Sequence, residues 1–224
     1  MMKGYDVTKY DRPSVALDVL LFTIQENQLQ ILLVRRKEEP FQGEWAFPGG
    51  FVKMNESLEV GAARELREET GLKDIYLEQL YTFGNPKRDP RTRVISVAYL
   101  ALAAKTDWAI MADTDASEAK FWPVSKLPKL AFDHQEIFEY GLSRLGSKLN
   151  YTNIAFGLLP DQFTLTELQN TYEIILNKKL DKRNFRKKIL STDLLSAVGQ
   201  KSSSGAHRPA ELFRFKKKEI EYLN

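Results

Sequence analysis

Three glutamates, Glu65, Glu68 and Glu69, stand within five residues in the stretch GGFVKMNESLEVGAARELREETGL, Gly49 to Leu72. On a helix Glu65 and Glu69 are one turn apart, with Glu68 on the edge of the same face, and like charges so placed weaken an isolated helix by about 0.2–0.5 kcal/mol per pair. Leu58, Ala62 and Leu66 recur every four residues, so these carboxylates border the inward-facing stripe. Half-buried carboxylates are costly unless paired or bound to metal. A divalent cation would satisfy all three, and Mg²⁺, which favours oxygen ligands and shares them with substrate phosphates, suits the set, with Mn²⁺ as a substitute. The other reading is a solvated acidic face paired with Arg64 and Arg67.

The elements that must position these residues follow from local pattern. Ser57 is suited to cap a helix running to Thr70, and Gly71 to end it. Upstream, SVALDVLLF (Ser14–Phe22) and LQILLVRR (Leu29–Arg36) flank the turn-prone QENQ and predict a β-hairpin. EWAFPGG leads from a short strand into a Pro-Gly-Gly turn. DIYLEQLYTFG and RVISVAYLALAA predict two strands joined by NPKRDPRT, AKFWPV predicts another, and a helix from about Asp133 to Leu149 follows. The expected class is α+β, with helices packed on a mixed sheet. Residues 150–160 are expected as a linker between a first domain, 1–149, and a second, 161–224.

The spacing from Gly50 through Glu56 to Arg64-Glu65-Leu66, Glu68-Glu69 and Gly71-Leu72 matches the Nudix box at every defined position, and LLVRR, GEWAFPGG and FWPVSKLP are similar to flanking segments of that family. The resemblance covers Arg12 to about Leu149. It implies a Nudix α/β/α sandwich in which Glu65, Glu68, Glu69 and the Gly50 carbonyl hold Mg²⁺, while Arg64 and Glu56 orient them. The metal would neutralise a diphosphate and activate water for attack at phosphorus. Family members place a further acidic base beyond the box; Glu118 is the candidate, with Asp113 and Asp115 as rivals and an ordinary loop acid as the other reading. Trp45 and Phe47 enter the box on a strand, Phe83 ends another, and Arg88, Arg91 and Arg93 crowd the next loop. Aromatics could stack on a base and arginines clamp an anion; alternatively the aromatics are core. His134, beside a helix start, reads as structural.

Charge is uneven along the chain. From Asn150 onward there are 13 Lys and Arg against 8 Asp and Glu, and 20 against 22 before it, or +5 and −2. TLTELQNTYEIIL and LDKRNFRKKIL predict two helices, and LLSAV and AELFRF a hairpin around the tip GQKSSSGAHRP, the layout of a winged helix-turn-helix. In the second helix Phe185 and Ile189 face inward, Asp181 caps, and Lys182, Arg183, Asn184, Arg186 and Lys187 face outward as DNA-binding candidates, with Lys201 and Arg208 on the wing. A solvated basic face on an accessory domain is the alternative. The two-part chain resembles the NrtR family, Nudix-related transcriptional regulators with a C-terminal winged helix that respond to ADP-ribose; relatives of that architecture sense other small molecules, arabinose among them. The intact box implies hydrolysis of a nucleoside diphosphate derivative such as ADP-ribose to AMP and ribose 5-phosphate. The alternative it implies is a repressor that only senses the ligand, and a twofold dimer on double-stranded DNA is the simplest assembly.

There is no cysteine, so disulfides and thiolate metal sites are excluded. The longest apolar run, Val94–Ala104, is short of the ~18 residues of a membrane span. The N-terminal stretch lacks the apolar core of a signal peptide, which places the expectation in the cytoplasm.

Overall fold

The computed structural model describes residues 6, 8–72, 75–104, 116–202 and 209–223. Strands β1 (Ser14–Gln25) and β2 (Gln28–Arg36) form the expected hairpin, closed by Glu26 and Asn27, both left-handed at φ 51° and 58°. That two-residue turn matches the twist of the strands, and asparagine tolerates the conformation. Strand β3 (Trp45–Ala46) pairs with β2, and β4 (Gly49–Phe51) pairs with β1 on the way into α1 (Leu58–Thr70). The Ser57 hydroxyl accepts the Val60 amide at 3.3 Å, and Gly71 closes α1 at φ 72°, where a side chain would be strained. Then come β5 (Tyr76–Phe83), β6 (Val94–Leu102), β7 (Ala116–Pro123) and α2 (His134–Lys148).

The seven strands form one mixed sheet along the path β3-β2-β1-β6-β5, with β4 added to β1 and β7 to β2. Alternation along β1 decides what covers each face. Leu17, Val19 and Leu21 pack with Ala62 and Leu66 of α1, while Leu20 and Phe22 pack with Ile137 and Leu145 of α2. Helix, sheet and helix thus form three layers, the α/β/α sandwich expected. No helix among the described residues is long and apolar enough to cross a membrane.

The second domain contains β8 (Phe163–Thr164), α3 (Leu165–Leu176), α4 (Lys182–Ser191), β9 (Leu195–Lys201) and β10 (Glu211–Phe215), with the strands ordered β8-β10-β9. The short β8 has no signal of its own in the sequence. Thr164 and Glu167 form a reciprocal capping box at the start of α3. The turn into α4 is organised by the Glu173 carboxylate, which accepts from Gln169, the Leu180 amide and Lys179 at 2.7–3.0 Å and is thereby held down at a pKa of about 2.

Residues 150–160, expected as a linker, do not form a free tether. Thr152, Asn153, Ile154 and Ala155 are wholly buried, and Ile154–Leu158 makes a 3-10 turn. The tail returns here: Asn153 donates to the Glu219 carbonyl and accepts the Glu221 amide, and Thr152 bridges Tyr222. Leu168, Tyr172 and Phe185 join the same apolar cluster as Ile137 and Leu145.

Candidate functional site

A cavity of about 510 Å³ opens where β1, the β3–β4 turn, α1, the loop after β5 and the start of α2 converge. Its acidic wall is α1. Arg64 stands at its centre: Nε and Nη2 grip both oxygens of Glu56 at 2.9 and 2.7 Å, and Nη1 donates to Glu65 at 2.8 Å and to Glu68 at 2.9 Å. The guanidinium is the cation that offsets the like-charge cost on α1. Glu56, held by Arg64 and by the Lys53 amide, has its pKa lowered to about 2, whereas burial pushes Glu65 up. Glu65 and Glu69 are both buried. As the side chains stand, no three acidic or histidine groups among the described residues converge into a metal-sized cluster. Gly50 explains how close the strand comes to this wall. A Cβ there would lie 2.6 Å from a Glu65 carboxylate oxygen, so only glycine brings the turn alongside Glu65.

The floor is a charged network. Asp18 on β1, buried, accepts from Ser96 Oγ on β6, lies 3.4 Å from Arg88 Nη2 and 3.3 Å from His134 Nε2. Burial opposes its charge, but His134, Arg88 and Ser96 outweigh that and hold its pKa at about 2. His134 Nδ1 accepts the Phe47 amide at 3.0 Å, which leaves the ring proton on Nε2, toward Asp18. The imidazole also stacks on Phe47 with centroids 4.8 Å apart and planes at 10°. Arg88 binds Asp133 through Nε and Nη2 at 2.8 and 2.7 Å.

The rim is cationic and aromatic. Arg91 is held by Asp89, and its guanidinium lies 5.6 Å from the Phe51 ring and 5.7 Å from Phe132. Arg36, anchored on the Pro40 and Glu38 carbonyls, covers Phe132 at 4.9 Å. Burial, then the Arg91 charge, lowers its pKa. Phe41 and Phe132, in edge contact, are both left-handed at φ 65° and 52°; non-glycine residues held there cost about 1–3 kcal/mol each, a strain common at functional sites.

The cavity therefore brings together Gly50, Arg64, Glu65, Glu68, Glu69, Phe47, Arg88 and Arg91 among the residues singled out from sequence. Glu56 sits behind Arg64. Trp45 lies outside the cavity, edge-on to Trp122 at 5.2 Å, because its strand is sandwiched between β2 and Leu130. Glu118 also lies apart: β7 runs along β2 in a register that sets it opposite Arg35, exposed. Its rivals Asp113 and Asp115 fall outside the described residues. Phe83 is buried against Tyr81 and Tyr140, the core reading, and Arg93 donates to the Gly84 carbonyl. Sequence reasoning missed Asp18, Ser96, Asp133, Phe132 and Arg36. Asp18 carried a usable signal, a lone acid inside the apolar run SVALDVLLF.

At the other end, α4 buries Phe185 and Ile189 and exposes Lys182, Arg183, Asn184, Arg186 and Lys187, together with Lys188, which sequence reasoning passed over. Asp181 Oδ1 caps the helix by accepting the Asn184 amide at 2.8 Å. Lys201 is exposed at the end of β9; Arg208 falls outside the described residues.

Residues 14–140 match the NUDIX domain, and 155–215 match the NrtR DNA-binding winged helix domain. An ADPR responsive transcriptional repressor, NtrR, of Acinetobacter baylyi is 37% identical over 97% of this chain and 88% of its own length. The chain belongs to the NrtR family of Nudix proteins. Among solved structures, Shewanella oneidensis NrtR complexed with a 27mer DNA superposes with a TM-score of 0.81 at 37% identity, covering 90% of this chain and 93% of that one. An ADP-ribose pyrophosphatase of Methanocaldococcus jannaschii is 39% identical over 62% of this chain and 80% of its own length. The NrtR architecture thus joins a Nudix domain to a DNA-binding winged helix.

Proposed function

We propose that this NrtR protein is a cytoplasmic, twofold-symmetric DNA-binding regulator whose Nudix cavity takes ADP-ribose and thereby sets the affinity of the winged helix for DNA. The single observation that carries the reading is α4, which buries one apolar edge and turns five cations outward. Such a helix following α3 suits a major groove, with its side chains on bases and phosphates. The cavity offers Arg88 and Arg91 for a diphosphate and Phe47 and Phe132 for a flat ring, and a full-length relative is an ADPR responsive repressor.

A second reading, hydrolysis of ADP-ribose to AMP and ribose 5-phosphate, is favoured by the intact box. Glu65, Glu68, Glu69 and the Gly50 carbonyl are all oxygen donors, the chemistry that a hard cation such as Mg²⁺ or Mn²⁺ prefers, and the absent Gly50 side chain lets the turn approach Glu65 closely. Once bound, the metal would neutralise diphosphate charge and lower the pKa of a coordinated water. Arg64 would hold Glu56 and orient the acidic set, and Arg88 would position the diphosphate.

The test is calorimetric titration with ADP-ribose and a Mg²⁺-dependent turnover assay on wild type and Glu69→Gln. Binding without turnover leaves the sensor; turnover lost in Glu69→Gln adds the enzyme. Absence of both overturns ADP-ribose as the ligand.

A further inference from the structure

Arg88 is almost entirely buried, with 4% of its side chain exposed, and it lines the ligand cavity. Asp133 takes Nε and Nη2, Asp18 lies near Nη2, and among the described residues Nη1 has no hydrogen-bond partner. An anion in the cavity would therefore meet an arginine whose opposite edge is already fixed by Asp133. Asp133 is also the N-cap residue of α2, yet its side chain makes no cap hydrogen bond. Its carboxylate is committed to Arg88 instead. The next residue, His134, ties the same first turn of α2 to the Phe47 amide and Asp18.

The far end of α2 meets the winged helix. Lys148 is buried and paired with Glu78, and its carbonyl accepts from the Thr152 amide and hydroxyl at the domain junction. Leu145 shares a core with Leu168 and Tyr172 of α3, and Leu142 lines a groove with Ile174. Fifteen residues of α-helix span roughly 22 Å, so one rigid element touches both the cavity floor and the helix that precedes the DNA-facing α4.

We propose that Asp133 is a positioning residue that couples the two functions: it fixes Arg88 for the anionic ligand and, as the residue opening α2, passes the ligand state along that helix to α3. This inference rests on the reading that the cavity takes ADP-ribose and that DNA binding responds to it. Coupling between two sites is reciprocal and commonly changes affinity by about 5–150-fold. DNA affinity of the full-length protein is measured by fluorescence anisotropy with and without saturating ADP-ribose, for wild type, Asp133→Asn and Asp133→Glu. Wild type is expected to change DNA affinity by a factor in that range. Asp133→Asn is expected to hold the factor within about twofold of one, even with ADP-ribose raised to saturation, and Asp133→Glu to restore part of it. Should Asp133→Asn melt early, Asp133→Ser, which keeps a good N-cap, replaces it. A wild-type factor retained by the carboxamide and serine variants overturns the coupling role and leaves the ligand reading standing. A wild-type factor of one overturns the ligand-responsive reading itself, and the coupling with it.

Discussion

Replacing Asp18 with Asn removes the one charge that Ser96, His134 and Arg88 share, at almost constant volume. The carboxylate is buried, and its pKa is held at about 2 against an ordinary 3.8. A folded-state value below the unfolded one means that ionisation stabilises the fold above the unfolded pKa, and that this contribution is lost as pH falls through the folded pKa. At about 1.4 kcal/mol per unit the contribution is on the order of 2 kcal/mol near neutral pH, with about half gone near pH 3. Asn also sets an N–H₂ group where Oδ2 now faces Arg88, 3.4 Å away. Arg88 keeps both bonds to Asp133, which limits the damage. The expected total is about 2–4 kcal/mol, toward the lower end of the cost of breaking a buried charge pair. At roughly 2–4 °C per kcal/mol for a chain of this size, the melting temperature should drop by about 5–15 °C. Urea unfolding of both proteins at neutral pH and near pH 3 checks this. The gap must shrink on acidification; a variant as stable as wild type at neutral pH, or a gap indifferent to pH, would refute the network as described.

Gly50→Ala places a methyl 2.6 Å from the Glu65 carboxylate, which must swing away. Any rise in melting temperature that Mg²⁺ gives the wild type should vanish in this variant, and calorimetry of the folded protein reads it. Phe185→Ala empties a buried site beneath α4, edge-on to Tyr172 at 5.2 Å, and should cost about 3–5 kcal/mol. DNA binding should fail while ADP-ribose binding at the Nudix cavity persists, as anisotropy and calorimetry would show side by side. Arg183→Ala with Lys187→Ala should flatten the dependence of DNA affinity on salt, the logarithmic slope falling by about 0.9 for each phosphate that these side chains no longer neutralise. An unchanged slope would take those two residues off the DNA.

Local signals encode much of this structure. The cap at Ser57, the four-residue apolar repeat and Gly71 define α1 from sequence alone, and the β1–β2 hairpin and the two helices of the second domain follow from periodicity in the same way. The acidic wall of the cavity is legible because its residues lie on one helix. The floor is not. Asp18, Arg88, Ser96 and His134 come from four separate stretches, brought together by the parallel pairing of β1 with β6 and the packing of α2 on the sheet. No local spacing encodes those contacts. Glu118 stands out in the sequence for its proximity to a strand, but the register of β7 against β2 decides which way that strand faces the site, and register is a tertiary property. The segment at 150–160 reads as a connector between two helical stretches, yet Ile154 and Ala155 are buried in the core and Asn153 holds the returning tail.

Ligand-responsive DNA binding is tested by the affinity of the wild-type protein for duplex DNA, enriched by selection on the full-length protein, measured by fluorescence anisotropy across a salt series with and without ADP-ribose. Binding is expected to weaken steeply with salt, and ADP-ribose is expected to shift the affinity at least about fivefold. Salt-sensitive binding that ADP-ribose leaves unchanged, or no selectable DNA at all, would contradict that expectation.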